Sequence, residues 1–119
     1  MQTATKVNER TAAAASGGEV TILAFSGDIS SASKDAVLGA YHGLNGRAKS
    51  ILLDFTGVDY INSSGIAIII QMLLEAGKAG AQKIGIFGLS AHFNKVFTMV
   101  GINKYAGLHK DEAEALAAI

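Results

Sequence analysis

The chain has no cysteine, so it carries neither a disulfide framework nor a thiolate zinc site. That absence fits a reducing compartment. Proline is missing as well, and no function attaches to its absence. An excess of charge of either sign is lacking too: 10 Lys and Arg balance 10 Asp and Glu, for a formal net charge of zero. Nucleic acid and anionic membranes usually demand a basic face, so this balance argues against both as the main partner. No run approaches the ~20 apolar residues of a spanning helix. The amino end lacks a basic region followed by an apolar core, and Thr11 to Gly18 is too short and small-sided to be one. Membrane insertion is therefore not expected, and the sequence reads as soluble and cytoplasmic.

The usual signatures of catalysis are missing in the same way. No G-x-x-x-x-G-K-[ST] or G-x-G-x-x-G follows a predicted strand, and Gly27, Gly57 and Gly65 stand isolated, which argues against a built-in nucleotide site. Ser63-Ser64-Gly65 is not the G-x-S-x-G of a hydrolase nucleophile turn. His42, His92 and His109 fall on three different predicted elements and form no recognisable base or ligand set. Asp54 and Asp59 flank one predicted turn; paired carboxylates can bind magnesium, but Asp at a strand end or turn is the plainer reading. No catalytic residue, metal ligand or cofactor is expected, and the protein is read as a non-enzyme.

What is present is a globular composition. Half of the 119 residues are apolar and 17% are charged, which suits one domain over residues 1–119 with one core. Ala4 to Glu9 reads as a weak edge strand and Thr11 to Gly18 as a flexible loop. Glu19 to Phe25 is a good strand that stops at Ser26-Gly27-Asp28, and it pairs with the edge strand as a hairpin. Ser30, Ser31 and Ser33 are candidate caps for a helix whose first turn holds Asp35. Val37, Ala40, Tyr41 and Leu44 form its apolar face. Ile51 to Phe55 is a strand apolar on both faces, as in a parallel sheet covered on two sides. A helix follows over about Ser64 to Gly77. Its only polar stripe runs through Ser64, Gln71, Glu75 and Lys78, so it is either deeply buried or covered by a partner. Lys83 to Phe87 is a further strand. Ser90 caps a helix presenting Phe93, Val96, Phe97 and Val100, and Gly101 closes it. Lys104 to Leu108 reads as a short edge strand. Asp111 opens a last helix, with Glu114 placed for a capping box. This alternation predicts an α/β domain, a mixed but mainly parallel sheet of about four to five strands with helices packed on it.

The stretch Asp54-Phe55-Thr56-Gly57-Val58-Asp59-Tyr60-Ile61-Asn62-Ser63-Ser64-Gly65-Ile66 stands at the centre of this order. It reads as a strand end, a turn, and two serines at a helix start. First-turn amides there have no intrahelical partner, and the helix dipole adds roughly half a positive charge. A serine at that point can cap the helix, for about 1 kcal/mol of stability. It can equally display a hydroxyl where a phosphate would be favoured. Three features favour display: Gly65 leaves backbone room, the helix behind is unusually apolar, and open α/β sheets place their sites at strand carboxyl ends.

These residues resemble a known family. Leu53 to Ile66 is similar to the STAS pattern of a strand followed by hydrophobic-Asp-Ser-Ser/Thr-Gly-Leu. Ser90 to Ile102 resembles the family's helix ending in a Gly-Leu or Gly-Ile step, and Phe25-Ser26-Gly27-Asp28-Ile29 its Leu-x-Gly-Glu-Leu turn. Together these span about Glu19 to Leu116. The chain resembles specifically the small free-standing bacterial anti-sigma factor antagonists within the STAS (sulfate transporter and anti-sigma factor antagonist) family. The resemblance implies a protein that binds an anti-sigma factor serine kinase and so frees a sigma factor. It implies phosphorylation by that kinase on Ser63, loss of binding, and resetting by a phosphatase. Asp28, Asn62, Ser63, Ser64 and Gly65 are the implied partner-binding residues. The sequence departs from the family at Asn62, where Asp is usual, and at Ser30, where a second acid is common; the site is accordingly less acidic. STAS domains also serve as accessory or scaffold subunits of lipid-transport ATPases and stress-signalling complexes, and in that alternative Ser63 is only a cap.

Overall fold

The computed structural model describes residues 4–81 and 83–119. Among them, five strands form one sheet in the order β1-β2-β3-β4-β5. Strand β1 (Lys6–Ala13) pairs antiparallel with β2 (Glu19–Ile29), and β3 (Ser50–Ile61), β4 (Lys83–Phe87) and β5 (Gly107–His109) follow in parallel. The expected hairpin and the expected mainly parallel sheet are both present. Helices α1 (Lys34–His42), α2 (Ser63–Lys78) and α3 (Ala91–Met99) make the crossovers, and α4 (Glu112–Ala117) follows β5. Right-handed crossovers that step in one direction across a sheet deliver their helices to one face. The main core accordingly joins Leu23, Phe25, Leu53, Phe55 and Ile86 of the sheet to Val37, Tyr41, Ile69, Met72 and Phe97 of the three helices. The opposite face buries Val20, Ile22, Leu52 and Phe87 beneath Ala115 of α4. Leu52 and Leu53 thus enter different cores, which is why the strand is apolar on both faces.

Several elements run differently from the local sequence signals. Thr11 to Ala13 belong to β1, because each pairs with a residue of β2, from Thr21 to Glu19. Strand β2 does not stop at Ser26; it continues to Ile29. Strand β3 likewise passes through the expected turn and ends at Ile61. Turn-forming residues are accommodated here by two irregularities. Between Ala24/Ser26 and again between Gly27/Asp28, β3 carries one more residue than its partner. Such bulges bend a strand and re-aim its side chains. Gly57 sits at the first of them, where a Cβ would lie 3.1 Å from the Phe25 carbonyl oxygen. Val100 is exposed at the end of α3, and Gly101 follows it at φ 85°, the left-handed closing residue expected. Lys104 ends a short 3-10 turn (Ile102–Lys104), and the edge strand starts only at Gly107. At α4, Asp111 accepts from the Glu114 amide, but the Glu114 carboxylate reaches the Lys110 amide, so the capping box is shifted by one residue.

Candidate functional site

Helix α2 owes its position to its own spacing. Gly65, Ile68, Ile69, Met72, Leu73 and Ala76 recur at three and four residues and are all buried, one continuous face against the sheet. That register fixes where the helix begins. Asn62, in extended conformation, is the N-cap, and its Oδ1 accepts from the Gly65 amide at 2.8 Å. Neither serine caps the helix, contrary to the structural reading of that pair. Ser63 and Ser64 are the first two helical residues, and both are exposed. Among the described residues, neither hydroxyl has a hydrogen-bond partner. Their amides, at the first two positions, have no intrahelical acceptor.

The end of β2 holds this helix start in place. The Asn62 amide donates to the Ile29 carbonyl at 3.1 Å, and Ile29 pairs with Ile61. Gly65 sits directly on the same peptide: a Cβ there would lie 2.7 Å from the Ile29 carbonyl carbon and closer still to its oxygen. Only glycine lets α2 approach so near. Asp28 pairs in register with Tyr60, beside the helix start. Its backbone carbonyl accepts from the hydroxyls of Thr5, at 2.5 Å, and Ser33, at 3.3 Å. Ser30 caps the 3-10 turn (Ser31–Ser33) that leads into α1, with its amide bonded to the Ser33 hydroxyl at 2.9 Å. The structure therefore brings together all five expected site residues. Asn62 and Gly65 build the platform, Asp28 lies on the neighbouring strand end, and Ser63 and Ser64 face outward.

One feature escaped the sequence reading. Tyr60 is 54% exposed and stacks edge-on against Phe93 of α3 at 6.0 Å, with His92 against the same ring. An aromatic three residues before the serine motif was the available signal. Asp54 fits the plainer reading given to it in the sequence: its carboxylate accepts from the Thr56 amide at 2.9 Å and lies 3.6 Å from the Arg10 guanidinium. It belongs to the α4 side of the sheet and serves structure there.

Chemically, the arrangement offers an unencumbered hydroxyl at the positive end of a 16-residue helix. A phosphoryl group on Ser63 would meet the free first-turn amides and the dipole together, a favourable setting for an anion. Among the described residues, no group of three or more His, Cys, Asp or Glu side chains converges as a metal site. No helix among them is long and apolar enough to cross a membrane.

Comparison with known proteins agrees with this architecture. An anti-sigma factor antagonist from Mycobacterium paratuberculosis superposes with a TM-score of 0.74 at 17% identity, covering 96% of this chain and 94% of that one. The anti-sigma factor antagonist SpoIIAA in its unphosphorylated form gives 0.66 at 14% identity over 91% of each chain. A murine solute carrier 26 family anion transporter gives 0.71 at 15% identity, with 93% of this chain matching 21% of the transporter. At these identities the likeness is one of fold. No curated protein matches the sequence. The family model described as "Mlab, STAS domain" matches residues 12–110, most of the chain, and the protein belongs to the STAS domain family.

Proposed function

We propose that this STAS domain is an anti-sigma factor antagonist: a binding module, not an enzyme, whose affinity is set by phosphorylation of Ser63. The observation that carries the reading is the division of labour at the start of α2. Asn62 supplies the cap, so the Ser63 hydroxyl is left exposed and uncommitted. A serine needed only for stability would hold the cap itself. The fold neighbours support the same role, since they include antagonists named as such and a SpoIIAA structure in the phosphorylated form.

In this reading an anti-sigma factor serine kinase docks on the face formed by Asp28, Asn62, Ser63, Ser64 and Gly65, and a sigma factor is released. The kinase transfers the γ-phosphoryl of ATP to the Ser63 oxygen; the hydroxyl proton leaves and ADP departs. The product carries roughly −1.5 to −2 charge. The helix start tolerates that charge within the domain. At a closed interface it must be desolvated against whatever the kinase presents, and the complex dissociates. A phosphatase restores the hydroxyl. The fold need not change, only its surface. A cytoplasmic setting follows from the ATP-dependent partner. The test is a paired pull-down from native extract with the wild type and Ser63→Asp as baits. A serine kinase retained by the first and lost with the second supports the switch; equal retention refutes it.

The second reading is an accessory subunit of a transport ATPase or a signalling scaffold. It is favoured by the occurrence of the same fold within a transporter chain. It requires binding indifferent to Ser63→Asp, so the same experiment separates the two.

A further inference from the structure

We infer that the end of α2 remote from Ser63 carries a second docking surface, one that takes an acidic amphipathic segment of a partner protein. Beside the last turns of α2 lies an open groove of about 410 Å³ whose apolar surface includes Leu74, Ile84 and Tyr105. Leu74 is 42% exposed and Tyr105 46%, unusual exposure for large side chains that share one depression. An adjoining hollow shares Ile84, Lys104 and Tyr105 with it, so the two form one surface. Lys78 and Lys104 line the groove, and Lys83 lines the hollow. Among the described residues no Asp or Glu lines either, and none of the three lysines has an ion pair. Glu75, one turn before Lys78, is hydrogen-bonded to His42 at 2.7 Å, and Lys78 acts on it only as a nearby charge.

An apolar strip flanked by cations that form no ion pair among the described residues has a definite complement: a few apolar anchors flanked by carboxylates. Such a segment buries the Leu74 and Tyr105 side chains while its acids meet the lysines, and charge of that kind sets specificity and association rate. The net charge of zero conceals this surface, because the balancing acids lie elsewhere. A lipid headgroup layer is flat and fits a depression poorly. The surface lies about 16 Å along α2 from Ser63, eleven residues at ~1.5 Å each. It does not depend on the phosphorylation reading.

The test uses the full chain, isotope-labelled, and a synthetic peptide of roughly 14 residues with Leu and Phe at helical i, i+3, i+4, i+7 spacing and Glu elsewhere. Amide shifts are expected at Leu74, Lys78, Ile84, Lys104 and Tyr105, with Ser63 and Ser64 unmoved. Joint Lys78→Glu and Lys104→Glu substitution should weaken binding roughly ten-fold or more in a protein that keeps its fold, with the small loss of melting temperature expected of an acid in the last turn of α2. A peptide with Lys in place of Glu should prefer that variant. Lys78→Gln with Lys104→Gln serves if the reversed pair folds poorly. Shifts mapping elsewhere, equal binding of the basic peptide, or response only to phosphatidylglycerol vesicles would overturn the inference. So would shifts that follow protein concentration, which would mean a second copy of the chain occupies the groove.

Discussion

Gly65 rests on the backbone carbonyl of Ile29, so close that no side chain fits between helix α2 and the end of β2. The contact locks the helix carrying Ser63 to the strand carrying Asp28. Gly65→Ala must therefore move backbone, not a flexible side chain. The expected cost is about 1–3 kcal/mol, typical of overpacking, read as a lower denaturation midpoint. Partner binding should fall as well, because the first turn is displaced. A variant as stable as wild type would mean that α2 can slide, and that the site is less rigid than its geometry implies.

Asn62 gives the second prediction. Asn62→Ala removes the acceptor of the Gly65 amide and should cost about 1 kcal/mol by chemical denaturation, whereas Asn62→Asp should be neutral or stabilising, since both side chains cap and a carboxylate also suits the dipole. If Asn62→Ala were silent and Ser63→Ala costly, the cap would have been assigned to the wrong residue.

Why the sequence left the capping residue open is a matter of register. Asn62, Ser63 and Ser64 are three consecutive residues, each able to cap. Local chemistry does not choose among them. The burial of Gly65, Ile68, Ile69 and Met72 does, by starting the helix at Ser63 and so placing the cap one residue ahead of it, at Asn62. The same competition hid the end of β3. Gly57 and Asp59 favour a turn locally, but pairing with Ser26 to Ile29 keeps the segment extended through two bulges. Elements whose signal is periodic and long, such as α2 and the strand Lys83 to Phe87, were legible because burial and local preference agree there. The aromatic pair Tyr60 and Phe93 was not, since it joins residues 33 positions apart that only the sheet brings together.

Ser63 itself should matter little to folding. Its hydroxyl has no partner within the described residues, so Ser63→Ala should shift stability by no more than about 0.5 kcal/mol. Ser63→Asp should be neutral to slightly stabilising, because an acid in the first turn interacts favourably with the helix dipole. Thermal melts of the three proteins decide it. A strongly destabilised Ser63→Asp would undermine its use as a phosphate mimic.

The hydrogen bond between α1 and α2 predicts a pH dependence. The ring nitrogen Nε2 of His42 lies 2.7 Å from Glu75 Oε1. That hydrogen bond, chiefly, holds the Glu75 carboxyl below its ordinary value of 4.5; burial opposes it, and Gln71 and Lys78 assist. A group whose folded pKa is depressed stabilises above its unfolded value and loses that contribution as pH falls through the folded one. The Glu75 carboxyl carbon should therefore titrate below 4.5 by NMR, and His42→Ala should move it upward. The melting-temperature gap between wild type and Glu75→Gln should be present near neutrality and close in acid. A gap that widens in acid would reverse the sign.

Helix α4 is short, and its attachment is the last point at issue. The Arg10 guanidinium forks onto Glu112, with Nη2 2.5 Å from Oε1 and Nη1 3.1 Å from Oε2, while Asp54 lies 3.6 Å away. The hydrogen bond to Glu112 is the main reason the Arg10 pKa is raised further. One edge strand, one central strand and the final helix thus meet at a single side chain. Arg10 and Glu112 are both partly exposed, so Arg10→Ala should change global stability by less than about 1 kcal/mol. Locally the effect should be larger. Six residues cannot hold a helix in water by propensity, so α4 depends on Ala115 beneath it, on this fork, and on the bond from the Ala15 amide to the Leu116 carbonyl. Amide exchange within α4 should accelerate several-fold in Arg10→Ala while β2 and β3 stay protected. High salt should reproduce part of that acceleration in the wild type, where screening weakens the exposed pair. If exchange in α4 is unchanged, burial of Ala115 and the bond from the Ala15 amide to the Leu116 carbonyl fasten the helix, and the fork is a surface contact with no holding role.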